Sequence, residues 1–425
     1  MPINWLKNKY SVKSDFFKDS VTLISGTTIS QIVPVAAAPI LARIYHPEDY
    51  GVLGIYMSVV GLISVISTLA YTNAIMLPAS ELEANKLVSL CLRLVGLTTL
   101  IALVIVLFLS NYISSTFNSP RLKFWILFAP LSLLMNGING VFSMYASRLK
   151  KFKLLSFNRV FCTIGTVITS LIVGLITKSE IGLFMGLFVN QILGSIYLTY
   201  QTLKNTSFKT LDFLKYEWKT VARKYINFPK YSLSADFINN FTNQIPIFML
   251  SRYANPASVG YYGMSNRMLG LPSTFISSSI GEVFRQRAAK DYAESGTCRP
   301  IFIKTFKTLL LISIVPFAVL MLFGADIFAF IFGEKWRFAG IYTQITGPLF
   351  LFKFVVSPLT YVYIITEKQK EDFILHLLFV VLGIATLFIG LKYYNSVTTA
   401  LGIFVFSYCA IYMIYLIRSY QLSLK

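Results

Sequence analysis

Apolar residues dominate long runs of this chain, and short polar segments punctuate them. Runs of about helix-spanning length lie at about 20–42, 51–78, 87–110, 122–146, 157–177 and 180–201. After a polar gap they resume at about 229–251, 257–283, 305–332, 339–365, 373–391 and 396–418. A transmembrane helix needs about 20 predominantly apolar residues, and in lipid a helix satisfies its own backbone. The pattern predicts an all-α integral membrane protein with 12 transmembrane helices. They form two six-helix lobes, residues 1–201 and 229–425, divided by a linker at 202–228.

Composition agrees. Hydrophobic residues make up 55% of the chain and charged residues 13%, against about 25% charged in an ordinary soluble domain. Mean hydropathy is +0.65. The formal net charge of +20 raises the question of nucleic acid. Nucleic-acid binding requires basic residues interleaved with aromatics on a water-exposed face. Here they fall between apolar runs, where they act as topological signals, so no nucleic-acid partner is expected.

Those signals set the orientation. With both termini in the cytoplasm, 28 of the 38 Lys and Arg fall in cytoplasmic segments and eight in external ones. Excess positive charge on cytoplasmic loops is the rule for such proteins. The first 19 residues are polar and basic, and Pro39 follows the Ala36–Ala38 triplet, so no cleaved signal peptide is expected. The linker, TLKNTSFKTLDFLKYEWKTVARKYINF, mixes aromatic and basic residues. It reads either as an amphipathic helix on anionic headgroups or as a solvated connection. Cys91, Cys162, Cys298 and Cys409 lie far apart and read as small core residues, with no disulfide set and no metal site.

A repeated hairpin organises the two halves. ARIYHPEDYGVLG at 42–54 and SRYANPASVGYYG at 251–263 share Arg, Pro, Gly and Gly at matching spacings: Arg43, Pro47, Gly51 and Gly54 in one, Arg252, Pro256, Gly260 and Gly263 in the other. In each, Pro ends one helix, the glycines permit a turn and close packing, and Arg lies at headgroup level. Both copies fall on the external side, so the repeat is parallel, about an axis along the membrane normal. A substrate path belongs between the lobes.

Ionisable residues inside apolar runs carry the functional signal, since each costs at least about 2.5–3.5 kcal/mol at the bilayer centre. Arg267 and Lys353 lie near the middle of the eighth and tenth runs and suit an anionic ligand such as a phosphate or pyrophosphate. Asp236 is placed at a depth similar to that of Arg267. It is either a structural ion-pair partner or a proton or sodium coupling site. Arg93 either snorkels to the headgroups or lines a cavity. Asp326, a second ion-coupling or ion-pair candidate, lies toward the outer end of the ninth run, and His376 reads as interfacial. Gln31, Pro34 and Pro39 break up the first run, with the two prolines as a hinge and Gln31 on its wet face. Catalytic constellations are absent: two histidines, His46 and His376, accompany no H-E-x-x-H, G-x-S-x-G or phosphate-binding glycine loop. The chain is therefore expected to be no enzyme and to use no cofactor or metal.

The stretch from SGTTISQIVPVAAAPILARIYHPEDYGVLG to NAIMLP, ending at Pro78, resembles the N-terminal signature of bacterial polysaccharide flippases. These are the Wzx-type members of the multidrug/oligosaccharidyl-lipid/polysaccharide (MOP) exporter superfamily. Gly26, Gln31, Pro39, Arg43, Pro47, Glu48 and Gly51 carry the resemblance, and IGEVFRQRAAKDYAESG at 280–296 resembles the family's end of helix 8. The resemblance implies transfer of undecaprenyl-pyrophosphate-linked oligosaccharide from the cytoplasmic to the periplasmic leaflet of the bacterial inner membrane. It implies alternating access driven by a proton or sodium gradient, with other polysaccharide-assembly membrane proteins as neighbours. Cationic cavity residues would engage the pyrophosphate or acidic sugars. A cation-coupled drug exporter of the same superfamily and a membrane-embedded polysaccharide polymerase are the alternatives. Cavity carboxylates would mark the first, and a sizeable external catalytic loop the second.

Overall fold

A computed structural model of the protein describes residues 26–204 and 217–424. The four N-terminal lysines and the middle of the linker, 205–216, lie outside the described residues. Among the described residues the chain is helical throughout, with no strand. Nine helical stretches are long and apolar enough to cross a membrane: α1 (Gly26–Ile44), α2 (Pro47–Ile66), α4 (Glu81–Thr116), α7 (Phe152–Thr177), α8 (Ile181–Lys204), α13 (Arg299–Phe332), α16 (Gln369–Tyr393), α17 (Val397–Ser423), and Glu334–Ile365, which contains α14 (Arg337–Val356) and α15 (Val362–Ile365). Three further helices are more polar: α6 (Ala129–Arg148), α10 (Leu233–Tyr253) and α11 (Pro256–Pro272). Short helices α3 (Tyr71–Ala74), α5 (Leu122–Ile126), α9 (Lys219–Lys224) and the polar α12 (Ser278–Ser295) complete the set. Large apolar side chains such as Phe108, Leu311, Phe330 and Phe406 stand exposed. In water that surface would be a liability; facing lipid it costs nothing. The chain is a multi-pass membrane protein.

The chain divides into two compact units. Within the described residues, the first comprises 26–45, 59–113, 121–204 and 217–237. Its helices are held by polar rungs buried between apolar layers. Ser132 donates to Gln191 at 2.7 Å, Ser195 to the Met135 carbonyl at 2.7 Å, and Tyr145 to Asn85 at 2.6 Å. Each rung replaces a hydrogen bond that lipid cannot supply. At one end Arg148 donates to the carbonyls of Ile75, Met76 and Pro78, tying down the end of the NAIMLP segment, which begins within α3. The described part of the linker docks there too. Val221 of α9 is buried with Tyr71, Leu87 and Val88, and the Tyr71 hydroxyl donates to the Ala222 carbonyl at 2.9 Å.

The second unit comprises 46–58, 114–120 and 238–424. In its core Leu269 of α11 packs with Leu309 and Phe317 of α13 and Phe350 and Phe354 of α14. A hydroxyl ladder, Thr343 to Ser265 at 2.9 Å and Ser265 to Thr346 at 3.3 Å, runs between α11 and α14. Three helices in this half of the chain lose regular geometry beside a proline. Phe228–Ser232, containing Pro229, and Ser273–Ser277, following Pro272, form π-helical turns, and Ser357–Tyr361, containing Pro358, tightens to a 3-10 turn. A proline ring removes an N–H and clashes one turn back, so the ladder re-registers locally. The latter two lie together: Ser277 donates to the Phe354 carbonyl at 2.7 Å, and Gly281 lies against Pro358.

Candidate functional site

A cavity of about 650 Å3 opens inside the second unit. It is lined by the start of α2, by α10, α11 and α14, and by α16 and α17. The polarity of α10 is explained by this position. Its stretch NNFTNQ would be costly in lipid, but Asn239, Thr242, Asn243 and Gln244 all face the cavity. Ser58 of α2 donates to Gln244 at 2.7 Å, and the Asn243 amide donates to the Asn239 carbonyl at 2.9 Å. Aromatic residues of α16 and α17 line this hollow as well. Phe379, Phe404, Tyr408 and Tyr412 line the cavity, with ring centroids 4.7 Å apart for Phe379–Tyr408, 5.0 Å for Phe379–Tyr412 and 4.1 Å for Phe404–Tyr408. No Asp or Glu lies among the lining residues, and Lys353 is their one Lys or Arg.

Lys353 sits where this cavity meets a second recess of about 370 Å3; Ser357 and His376 line both as well. The recess adds Arg285, whose guanidinium lies 5.9 Å from the Tyr361 ring centroid, and the hydroxyls of Ser273 and Ser278. Its one carboxylate, Asp372, is tied to its neighbours. The Tyr415 hydroxyl donates to Asp372 at 2.9 Å and lies 2.9 Å from His376 Nδ1. The Lys353 ammonium lies 5.9 Å from the Phe350 ring centroid, and among the described residues no ion pair engages it. The recess thus brings two cations, Lys353 and Arg285, together with several hydroxyls and one engaged carboxylate. Among the described residues no group of His, Cys, Asp and Glu is placed to hold a metal ion.

The remaining expected residues are dispersed. Arg267 follows Asn266 on α11; it is exposed, does not line the cavity, and among the described residues no hydrogen bond or ion pair engages it. Asp236 lies exposed in the first turn of α10, in the first unit. Arg93 belongs to the first unit, with its guanidinium 5.9 Å from the ring centroid of Trp218. Asp326 accepts from Arg337 at 2.7 Å in an exposed ion pair. Gln31, Pro34 and Pro39 lie on α1, which runs as helix through both prolines. His376, near the start of α16, lines both hollows. The α10 and α11 amides that line the cavity are not among the residues the sequence pattern singles out, since an uncharged carboxamide costs less in a membrane than a charge. The low hydropathy of α10, which keeps it out of the nine apolar spans, was the sign that could have found them.

Over residues 40–339 the sequence matches a family described as polysaccharide biosynthesis protein. The succinoglycan biosynthesis transport protein ExoT of Rhizobium meliloti (strain 1021) is 22% identical over 344 residues, covering 80% of this chain. The chain spans 66% of that relative's length, just under two thirds. The lipopolysaccharide biosynthesis protein WzxC of Escherichia coli (strain K12) is 24% identical over 375 residues, 85% of this chain and 72% of that protein. Among solved structures, the lipid II flippase MurJ in an inward closed conformation superposes with a TM-score of 0.70 at 15% identity, over 95% of this chain and 90% of that one. An inward-facing multidrug resistance MATE family transporter of the MOP superfamily gives a TM-score of 0.64 at 14% identity, over 94% and 97%. At these identities the likeness is one of fold.

Proposed function

Because the chain belongs to the family of polysaccharide biosynthesis proteins, we propose that it is a flippase that carries lipid-linked oligosaccharide repeat units across the membrane. The functions named for similar proteins, transport in succinoglycan biosynthesis and flipping of lipid II, support this reading. The observation that carries it is Lys353. A cation without an ion-pair partner among the described residues is kept in a membrane helix, on a cavity whose lining holds no carboxylate. Such a residue is expensive and is retained where it meets an anion. The pyrophosphate linking prenyl tail to sugar supplies that anion, with Arg285 as a second contact.

In this reading the protein has twelve spans in two six-helix lobes and works by alternating access in the bacterial inner membrane, with both termini cytoplasmic. Arg267 and Gln31 belong to the substrate path, Arg93 to its rim, and Pro34 and Pro39 to a moving first helix. A proton or sodium gradient drives the cycle, with Asp236 the coupling candidate. The protein acts as a carrier and makes or breaks no covalent bond. The drug-exporter alternative is disfavoured by the larger cavity, since a cationic drug calls for a carboxylate and the one that lines the adjoining recess, Asp372, is engaged by the Tyr415 hydroxyl.

The test is a deletion strain scored for surface polysaccharide and lipid-linked intermediates. Single unpolymerised repeat units accumulating in the cytoplasmic leaflet support a flippase. The same units in the periplasmic leaflet identify a polymerase. Intact polysaccharide with altered sensitivity to toxic cations identifies a drug exporter.

A further inference from the structure

The larger cavity has a chemistry of its own. Four carboxamides line it, Asn239, Asn243, Gln244 and Asn266. Among the described residues, the side chains of Asn239 and Asn266 make no hydrogen bond, and Asn239, Asn243 and Asn266 are exposed to the hollow. An open carboxamide offers an acceptor oxygen beside two donor hydrogens. That pairing matches a vicinal diol, which accepts through one hydroxyl and donates through the next. The same hollow is lined by the rings of Phe379, Tyr408 and Tyr412. The Tyr408 hydroxyl is occupied, donating to the Phe379 carbonyl at 2.9 Å, so its ring is fixed in place. The negative face of an aromatic ring attracts the weakly positive C–H face of a pyranose. At about 650 Å3 the hollow falls within the usual range of small-ligand sites, about 300–1,000 Å3.

Charge separates the two hollows. Arg285 lies in the smaller recess only, and Lys353, the one Lys or Arg lining the larger cavity, stands where the two meet, while the carboxamides and aromatic rings that make up much of the larger lining carry no charge. A sugar carboxylate seated there would give up water for neutral amides and ring faces that repel it. We propose that the amide and aromatic chamber is a subsite for a neutral sugar, the one joined to the pyrophosphate, while Lys353 and Arg285 hold the phosphate end. The resemblance had left acidic sugars and pyrophosphate as equal partners of the cavity cations; this geometry assigns the cations to phosphate alone. The proposal rests on the flippase reading and adds the class of sugar.

The experiment uses the purified full-length protein in nanodiscs and three synthetic probes: a short-chain prenyl pyrophosphate bearing no sugar, the same compound bearing a neutral hexose, and the same bearing a hexuronic acid. Binding is read by calorimetry. The wild type should hold the neutral-sugar probe about tenfold more tightly than the other two, as one or two net hydrogen bonds imply. Asn239→Ala and Asn266→Ala should remove most of that advantage while leaving the sugarless probe unchanged. Both side chains are open to the cavity, so folding should survive, and unchanged binding of the sugarless probe verifies it. Lys353→Gln should weaken all three probes alike. Equal binding of neutral, acidic and sugarless probes, or Asn variants indistinguishable from wild type, overturns the sugar subsite and leaves the flippase reading standing. Failure of all three probes to bind the wild type overturns both.

Discussion

Gly51 rests against the carbonyl of Pro256, and its counterpart in the repeat, Gly260, rests against the carbonyl of Pro47. The two hairpins that share a spacing in the sequence thus meet in the second unit, each presenting its glycine to the other's proline. In both cases a Cβ would run into backbone oxygen, which cannot swing aside. Gly54 and Gly263, the second glycines of each copy, have room: the nearest atom to a Cβ at Gly54 is Val259 Cγ1 at 3.4 Å, and nothing approaches Gly263 within 4 Å.

Gly51→Ala and Gly260→Ala should therefore each destabilise the protein by about 1–3 kcal/mol, the usual cost of overpacking. Gly263→Ala should be close to neutral. Thermal unfolding in detergent, followed by loss of the monodisperse fraction, measures both. Equal midpoints for Gly260→Ala and Gly263→Ala would show that the close approach is not a constraint.

Lys353→Ala should lower surface polysaccharide at least tenfold at unchanged membrane abundance, in keeping with about 1.5–3 kcal/mol for a hydrogen bond to a charged group. Lys353→Arg should retain part of the function, because a guanidinium also binds phosphate. Arg267→Ala should lower export as well. An Arg without an ion pair is costly in a membrane helix, and its retention is best explained by use. Quantitative glycan staining beside an immunoblot of the membranes decides.

Asp326 predicts the opposite. It is exposed and accepts from the Arg337 guanidinium, a surface ion pair worth about 0–1 kcal/mol. Asp326→Asn should leave export and thermal stability nearly unchanged, in paired transport and unfolding assays. Loss of pH or sodium dependence in this variant would instead give Asp326 a coupling role.

Cys298 offers a check of packing outside the spans. It is fully buried between α12 and α13, its N–H donating to the Ser423 carbonyl at 3.1 Å. Burial pushes its thiol up to about 11. Because the thiolate is the reactive form, a variant retaining only Cys298 should resist maleimide at neutral pH and label fully after denaturation in SDS. In the folded protein, labelling should climb only as the pH approaches 11. Rapid labelling at pH 7 would show that this junction is open.

What the sequence revealed and what it concealed divide along physical lines. Helices were legible because each apolar run is a local property, and the hairpins because proline and glycine act where they stand. The partner of a side chain is not local. Arg93 looked like a headgroup or cavity residue, and its aromatic neighbour, Trp218, comes from the far end of the linker. Depth arithmetic put Asp236 level with Arg267, but depth says nothing about the direction in which a side chain points. The chamber was hidden for another reason: amides cost less in a membrane than charges, so Asn239, Asn243 and Asn266 stood out less than Lys353. His376 was obscured by its place near a helix end, where Asp372 and Tyr415 draw it into the cavity wall.

The most direct test of the central claim is reconstitution. Purified protein in liposomes containing a fluorescent polyprenyl-pyrophosphate-linked oligosaccharide is exposed to a membrane-impermeant quencher, and the protected fraction is followed in time. Movement of the lipid from the inner to the outer leaflet in wild-type vesicles, and its loss in Lys353→Ala vesicles, is the predicted result. Protection identical to that of protein-free liposomes, with the protein shown to be folded, would contradict it.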